Sequence, residues 1–151
     1  MRTLAPTLAL ALALALATLL PSAAQARDTT LQLPFAEVVQ EALAAKRLDG
    51  SVKFYLAGNP VPGKATVVNS SITTNQKTNA FNKTDEVACR WVLQSALIRL
   101  QEAAKAAGAN AVTDITSYYK KNEWSDPSRY ECHAGALMAG VALKGKLVIL
   151  K

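Results

Sequence analysis

Thr84-Asp-Glu-Val-Ala-Cys-Arg-Trp-Val-Leu-Gln-Ser-Ala-Leu-Ile-Arg-Leu-Gln-Glu-Ala-Ala-Lys-Ala-Ala-Gly108 decides how this chain is built. Cys89, Leu93, Ala96, Leu97, Leu100, Ala104 and Ala107 return on one face at helical spacing over about six turns. Thr84 suits the N-cap, and Asp85 and Glu86 suit the positive end of the helix dipole. Gly108 suits the C-terminal stop. A long helix with one apolar face needs a sheet to cover it.

The flanks supply that sheet. Upstream, Arg27 to Leu33 reads as a short lead-in, and Pro34 opens a shorter helical pattern, with Phe35, Val38, Val39, Ala42 and Leu43 on one side, closed by Asp49-Gly50. Val52, Phe54 and Leu56 alternate with Lys53 and Tyr55 as in a half-buried strand. After the loop from Gly58 to Lys64, the segment Ala65 to Thr74 reads as the second arm of a hairpin. Thr74 to Lys83 reads as polar and irregular. Downstream, a strand is expected from about Ala111 to Tyr119, a turn over Asn122 to Ser128, and a long small-residue strand from Tyr130 to Leu143, resumed at Leu147 to Leu150. Short connections favour antiparallel pairing. The expected fold is α+β, one mainly antiparallel sheet packed by two helices.

Composition bounds the rest. The chain has 151 residues, a formal charge of +6, two cysteines and one histidine. Two cysteines build neither a cysteine-rich scaffold nor a zinc-ribbon array. Arg2, the Leu/Ala run from Leu8 to Ala17 continued to Leu20, the break at Pro21-Ser22, and the small residues Ala24 and Ala26 have the anatomy of an export signal. The reading is a signal peptide over residues 1–26, cut between Ala26 and Arg27, and a single domain over 27–151, periplasmic or secreted. No cysteine follows the apolar run to carry a lipid, and no membrane span remains after cleavage. Nucleic acid is a poor partner for an exported chain. An anionic envelope polymer, lipid headgroups or an envelope protein suit the mild positive charge better. The sequence leaves self-association open.

Several motifs bear on chemistry. Gly58-Asn-Pro-Val-Pro-Gly-Lys64 has the spacing of a phosphate-binding loop. Ala65 stands where the magnesium-binding hydroxyl belongs, and Pro60 and Pro62 remove two N–H donors. It reads as a turn. Cys89 and Cys132, both on apolar faces of an exported chain, are expected to form a disulfide. The alternative is a heavy-metal site from Cys89, Cys132 and His133. It would need a bulge, because neighbours on a strand point to opposite faces. No nucleophile elbow partners His133, no catalytic residue is assigned and no cofactor is implied. Tyr118, Tyr119, Lys120, Lys121, Trp124, Arg129 and Tyr130 form a basic-aromatic patch about one turn, the candidate partner-binding surface.

Three stretches carry a resemblance: Lys77-Thr-Asn-Ala-Phe-Asn-Lys83 with Asp85-Glu-Val-Ala-Cys-Arg-Trp91, Gly108-Ala-Asn-Ala-Val112 with Ser117-Tyr-Tyr-Lys-Lys-Asn122, and Glu131-Cys-His-Ala-Gly-Ala-Leu-Met-Ala-Gly-Val-Ala-Leu143. Together they resemble a family of small exported proteobacterial proteins that often bear the label "excinuclease ATPase subunit" and have no established function. The label does not suit a chain this small with a defective phosphate loop. The C-terminal half, from Ala104 through Gly108-Ala-Asn-Ala-Val112 to the closing strand, is similar to the YbjQ-like domains and, in outline, to the core of the Rcs envelope-stress lipoprotein. That resemblance implies the fold, and for YbjQ-like domains oligomers and heavy-metal binding.

Overall fold

The structure is a computed structural model that describes residues 26–151, so the apolar run of the export reading lies outside the described residues. The elements follow in the order β1 (Thr29–Pro34), α1 (Phe35–Ala44), β2 (Lys53–Leu56), β3 (Ala65–Asn79), α2 (Asp85–Ala106), β4 (Ala111–Ser117), β5 (Arg129–Ala134) and β6 (Met138–Leu150). A single 3-10 turn, Tyr119–Lys121, follows β4. Over the described residues the fold is α+β, with one curled sheet of six strands and two helices.

β6 organises the sheet. One edge pairs with β3 along its whole length, from Ala65↔Leu150 to Asn79↔Met138. The other edge is shared. Its first residues pair with β5 and its later ones with β4. β5 carries β1, and β4 carries β2, the one parallel pair.

α2 forms as its sequence requires. The Thr84 hydroxyl accepts the Val87 N–H at 3.2 Å, and Gly108 leaves the helix with φ 71°. Its apolar stripe is fully buried, from Ala88 and Cys89 through Leu93, Leu97 and Leu100 to Ala104. Each buried leucine contributes about 1.5–3 kcal/mol relative to exposure. Opposite stand Tyr130, Cys132 and Ala134 of β5, Val141 and Leu143 of β6, and Val112 and Ile115 of β4. Phe35, Val38 and Ala42 of α1 close the side of the core. Arg90 ties the two helices on the outside, reaching Glu37 and Glu41 of α1, which raise its pKa.

Four expectations are corrected. β2 and β3 do not form a hairpin. The Pro/Gly loop between them carries the chain from the β4 edge to the β6 edge, where Lys64 and Lys151 exchange N–H···O=C bonds of 2.9 and 3.1 Å. The polar segment after Thr74 is strand to Asn79, because β6 offers its edge that far. The lead-in before Pro34 is a sixth strand, β1, antiparallel to β5. The long final strand is two strands folded back at Gly135–Leu137, with the Gly135 N–H donating to the Met138 carbonyl at 2.8 Å. β6 then runs through Gly145, where a Cβ would stand 3.0 Å from Val112 Cγ1 and 3.1 Å from the Thr113 carbonyl. Gly145 is thus a close-packing position within one strand rather than a break.

Candidate functional site

The two cysteines meet in the core. Cys89 of α2 and Cys132 of β5 form a disulfide with Cα atoms 5.8 Å apart. The metal alternative required free thiolates beside His133, and the structure separates them. Strand alternation turns Cys132 inward with Tyr130 and Ala134, and turns His133 outward with Arg129 and Glu131. The same alternation corrects the patch: Tyr130 is 1 % exposed, part of the core rather than a contact residue. Burial pushes its phenol well above the usual range.

On the outer face one row crosses four strands. Lys77 of β3 pairs with Gly140 of β6, Gly140 with His133 of β5, and His133 with Thr30 of β1. Gly140 contributes no side chain, so the row has a dip. The ring of Tyr119, from the 3-10 turn, lies flat on His133 with centroids 3.6 Å apart and planes 11° from parallel. The imidazole, 12 % exposed, is held at both nitrogens. Nε2 stands 2.7 Å from Glu131 Oε1, and a carboxylate only accepts, so Nε2 donates. Nδ1 is then free to accept from the Thr30 hydroxyl at 3.3 Å, with Asp28 Oδ1 3.7 Å away.

Beside this cluster is a cleft of about 210 Å³ lined by Arg27, Asp28, Lys77, Tyr119, His133 and Met138, among others. Arg27 is engaged: its guanidinium donates to both Asp85 carboxylate oxygens at 2.7 and 2.9 Å and to the Gly135 carbonyl at 2.7 Å. That pairing lowers the Asp85 pKa and raises that of Arg27.

The remaining patch residues surround the turn. The Ser117 and Trp124 backbones bond in both directions and close it. Lys120 and Lys121 stand exposed in left-handed backbone, φ 51° and 63°. For non-glycine residues this costs energy and persists where the surroundings impose it. Here the Tyr119–His133 stack and the Ser117–Trp124 closure impose it. Lys144 lies over the Tyr118 ring at 5.3 Å and pairs with Glu123 at 3.6 Å. Among the described residues, neither Lys77, Lys120 nor Lys121 has a carboxylate within salt-bridge distance, whereas Lys105, Lys144 and Lys146 do.

The structure therefore unites two separate sequence readings, Tyr119 of the aromatic patch and the lone His133. It adds Glu131, Thr30 and Lys77. Glu131 was within reach of the sequence, since residues two apart on a strand share a face. Thr30 was not, because β1 went unread.

Fold and site together define an α+β domain with a stacked Tyr–His–Glu cluster and an unpaired basic rim on one sheet face. No protein-family model matches the chain, and no curated protein matches it. Among solved structures it is similar to a protein of unknown function assigned to the DUF74 family, from Pediococcus pentosaceus. The identity is 8 % and the TM-score 0.43, over 65 % of this chain and 98 % of that one.

Proposed function

We propose that this chain is an exported periplasmic domain that binds an anionic component of the cell envelope without catalysis. The observation that carries the reading is the turn at Tyr119–Lys121. Two exposed lysines are held in costly backbone by a stacked ring pair, and no carboxylate of the described residues neutralises them. A solvating lysine needs no such scaffold, whereas a docking cation gains by being pre-positioned. Lys77 across the cleft extends the rim. The disulfide supports an oxidising compartment. Among the described residues no helix is long and apolar enough to cross a membrane. The resemblance to small exported proteins agrees with the export part of this reading and names no ligand.

The test is retention on immobilised heparin, as a polyanion probe, and binding to purified lipopolysaccharide. Replacing Lys120 and Lys121 by Glu and Trp124 by Ala together should weaken binding at least about tenfold with the melting temperature retained. Binding should also fall steeply between about 0.1 M and about 0.5 M salt. Equal retention of wild type and variant, or no retention of either, overturns the reading. Recovery of the chain from the periplasm with Arg27 as first residue tests the export half separately.

A further inference from the structure

β2 ends the path of the sheet and pairs on one edge only, with β4. The register fixes which backbone groups that pairing uses. The Lys53 and Ala57 N–H groups donate to the Asn110 and Ile115 carbonyls at 3.0 and 2.9 Å. Along a strand these groups alternate in direction, so those of Phe54 and Leu56 point away from β4. The Leu56 carbonyl is satisfied by Asn59, whose backbone N–H donates at 3.2 Å and whose side-chain amide donates at 3.3 Å. The Phe54 N–H and C=O and the Leu56 N–H have no partner among the described residues. Donors and an acceptor at strand spacing are thus open on this edge. The long outer edge of β3 is defended by comparison. β3 bulges between Val67 and Asn69 and again between Asn69 and Ile72, which breaks the spacing a further strand would need. β2 itself is regular: the extra residue in its ladder lies on β4, where Asp114 has φ 51°.

Two hollows of about 240 and 430 Å³ lie where α1 borders β2. The first is walled by Val39, Leu43, Leu48 and Val52, the second by Leu56, Asn59, Pro60 and Pro127. Phe35, Ala36, Phe54 and Tyr55 belong to both, so the hollows adjoin along β2. Side chains two residues apart on a strand share a face and stand about 6.8 Å apart. Such a pair can enter adjoining hollows while its backbone bonds to Phe54 and Leu56. The charge on the rim is positive. Lys53 is exposed and has no carboxylate within salt-bridge distance among the described residues, whereas Glu37 and Glu41 of α1 are turned to Arg90.

We propose that the free edge of β2 and the hollows beside it are a docking site for an extended peptide segment of a partner protein. The segment adds to the sheet as a strand, places two apolar side chains two residues apart in the hollows, and sets an acidic residue against Lys53. The open backbone groups call for another backbone, the hollows for alternate apolar side chains, and the lysine for a carboxylate. This site uses none of the residues of the basic turn and is independent of what that turn binds.

The experiment titrates the purified protein into dye-labelled, end-blocked peptides of the form Asp-Thr-Φ-Thr-Φ-Thr-Asp, with Φ as Val, Leu or Phe, and follows fluorescence anisotropy. At least one of these peptides should bind saturably. Methylating its backbone nitrogens at every second residue separates strand addition from burial alone. One alternate set of N–H groups faces β2, and its methylation should cost at least about tenfold in affinity; the other set faces away and should cost little. Lys53→Glu should weaken binding, and exchanging both Asp residues of the peptide for Lys should restore it. Ala36 is exposed and lines both hollows, so Ala36→Arg should fill them without opening the core and lower affinity at least about tenfold. Absence of binding by every peptide overturns the proposal, as does binding indifferent to Ala36→Arg or to Lys53→Glu. Equal effects of the two methylated sets also overturn it, because they mark an apolar pocket filled without strand addition. So does a dimer in sedimentation that Ala36→Arg dissociates, which would assign the edge to a second copy of this chain.

Discussion

The Tyr119 ring lies within 11° of parallel to the His133 imidazole with centroids 3.6 Å apart, and that contact fastens the turn after β4 to the last residues of β5. Stacked aromatic pairs contribute about 0.5–1.5 kcal/mol beyond their buried area. In a double-mutant cycle of Tyr119→Ala and His133→Ala, the coupling energy from urea unfolding should be about 1 kcal/mol. A coupling near zero would mean that the rings only happen to lie together. Glu131→Gln should retain most of the coupling, because an amide oxygen still accepts from Nε2.

The Cys89–Cys132 bond joins the start of α2 to β5 across 43 residues of sequence. Closing a loop of that length removes unfolded-state entropy worth about 4 kcal/mol in the chain-entropy model. Cys89→Ala with Cys132→Ala should therefore lower the unfolding free energy by about 2–5 kcal/mol, and reductant should do the same to wild type. Both are read as urea midpoints. An unchanged midpoint under reductant, with thiols shown to be free by alkylation, would remove the staple as a source of stability.

Legibility in the sequence followed the strength of local signals. α2 was readable to its caps because Thr84, the apolar stripe and Gly108 all act within one element. The inward face of β5 was readable from its alternation of Tyr130, Cys132 and Ala134 with charged neighbours. β1 and the second half of β3 were not. Thr29–Pro34 carries only Leu31 and Leu33 as apolar residues and takes its strand form from β5, far along the chain, and the polar end of β3 is strand only because β6 presents a full-length edge. Pairing partners are long-range facts, so adjacent β2 and β3 looked like a hairpin. The site failed for the same reason: Lys77, His133 and Thr30 are far apart in sequence and share a row only through the register of four strands.

Two glycines in left-handed backbone make a controlled pair. Gly63 has φ 74° and Gly108 has φ 71°, so an alanine at either carries a similar backbone penalty of about 1 kcal/mol. Their surroundings differ. A Cβ at Gly108 meets nothing within 4 Å, whereas at Gly63 it would stand 2.3 Å from the Lys151 carbonyl oxygen. Gly63→Ala must also push apart the Lys64–Lys151 pair that begins the β3–β6 ladder. It should destabilise by about 2–4 kcal/mol, against about 1 kcal/mol for Gly108→Ala, in chemical unfolding. Equal losses would show that the carboxyl-terminal end of β6 yields without cost.

Acid should find this fold through a surface carboxylate. Asp49 is held well below the usual carboxylate range, first by the Lys105 ammonium that donates to Oδ2, then by the hydroxyl and N–H of Ser51 on Oδ1. Arg27 acts on Asp85 in the same direction, and the Ser128 N–H on Asp126. A carboxylate with a lowered native pKa binds protons less readily folded than unfolded. Its contribution is therefore complete above the unfolded value, about 4, and is lost as pH falls from there through the native value. Melting temperature should hold from neutral pH down to about 5 and then decline. Asp49→Asn removes one such group, so its melting temperature should lie below wild type at neutral pH and converge on it as the pH falls toward about 2. Lys105→Met should narrow the same gap from the other partner. Because the pair is exposed, about 0.5 M salt should shrink the difference too. A gap that stays constant across the acid range would show that Asp49 acts through the geometry of its turn with Ser51 and not through its charge.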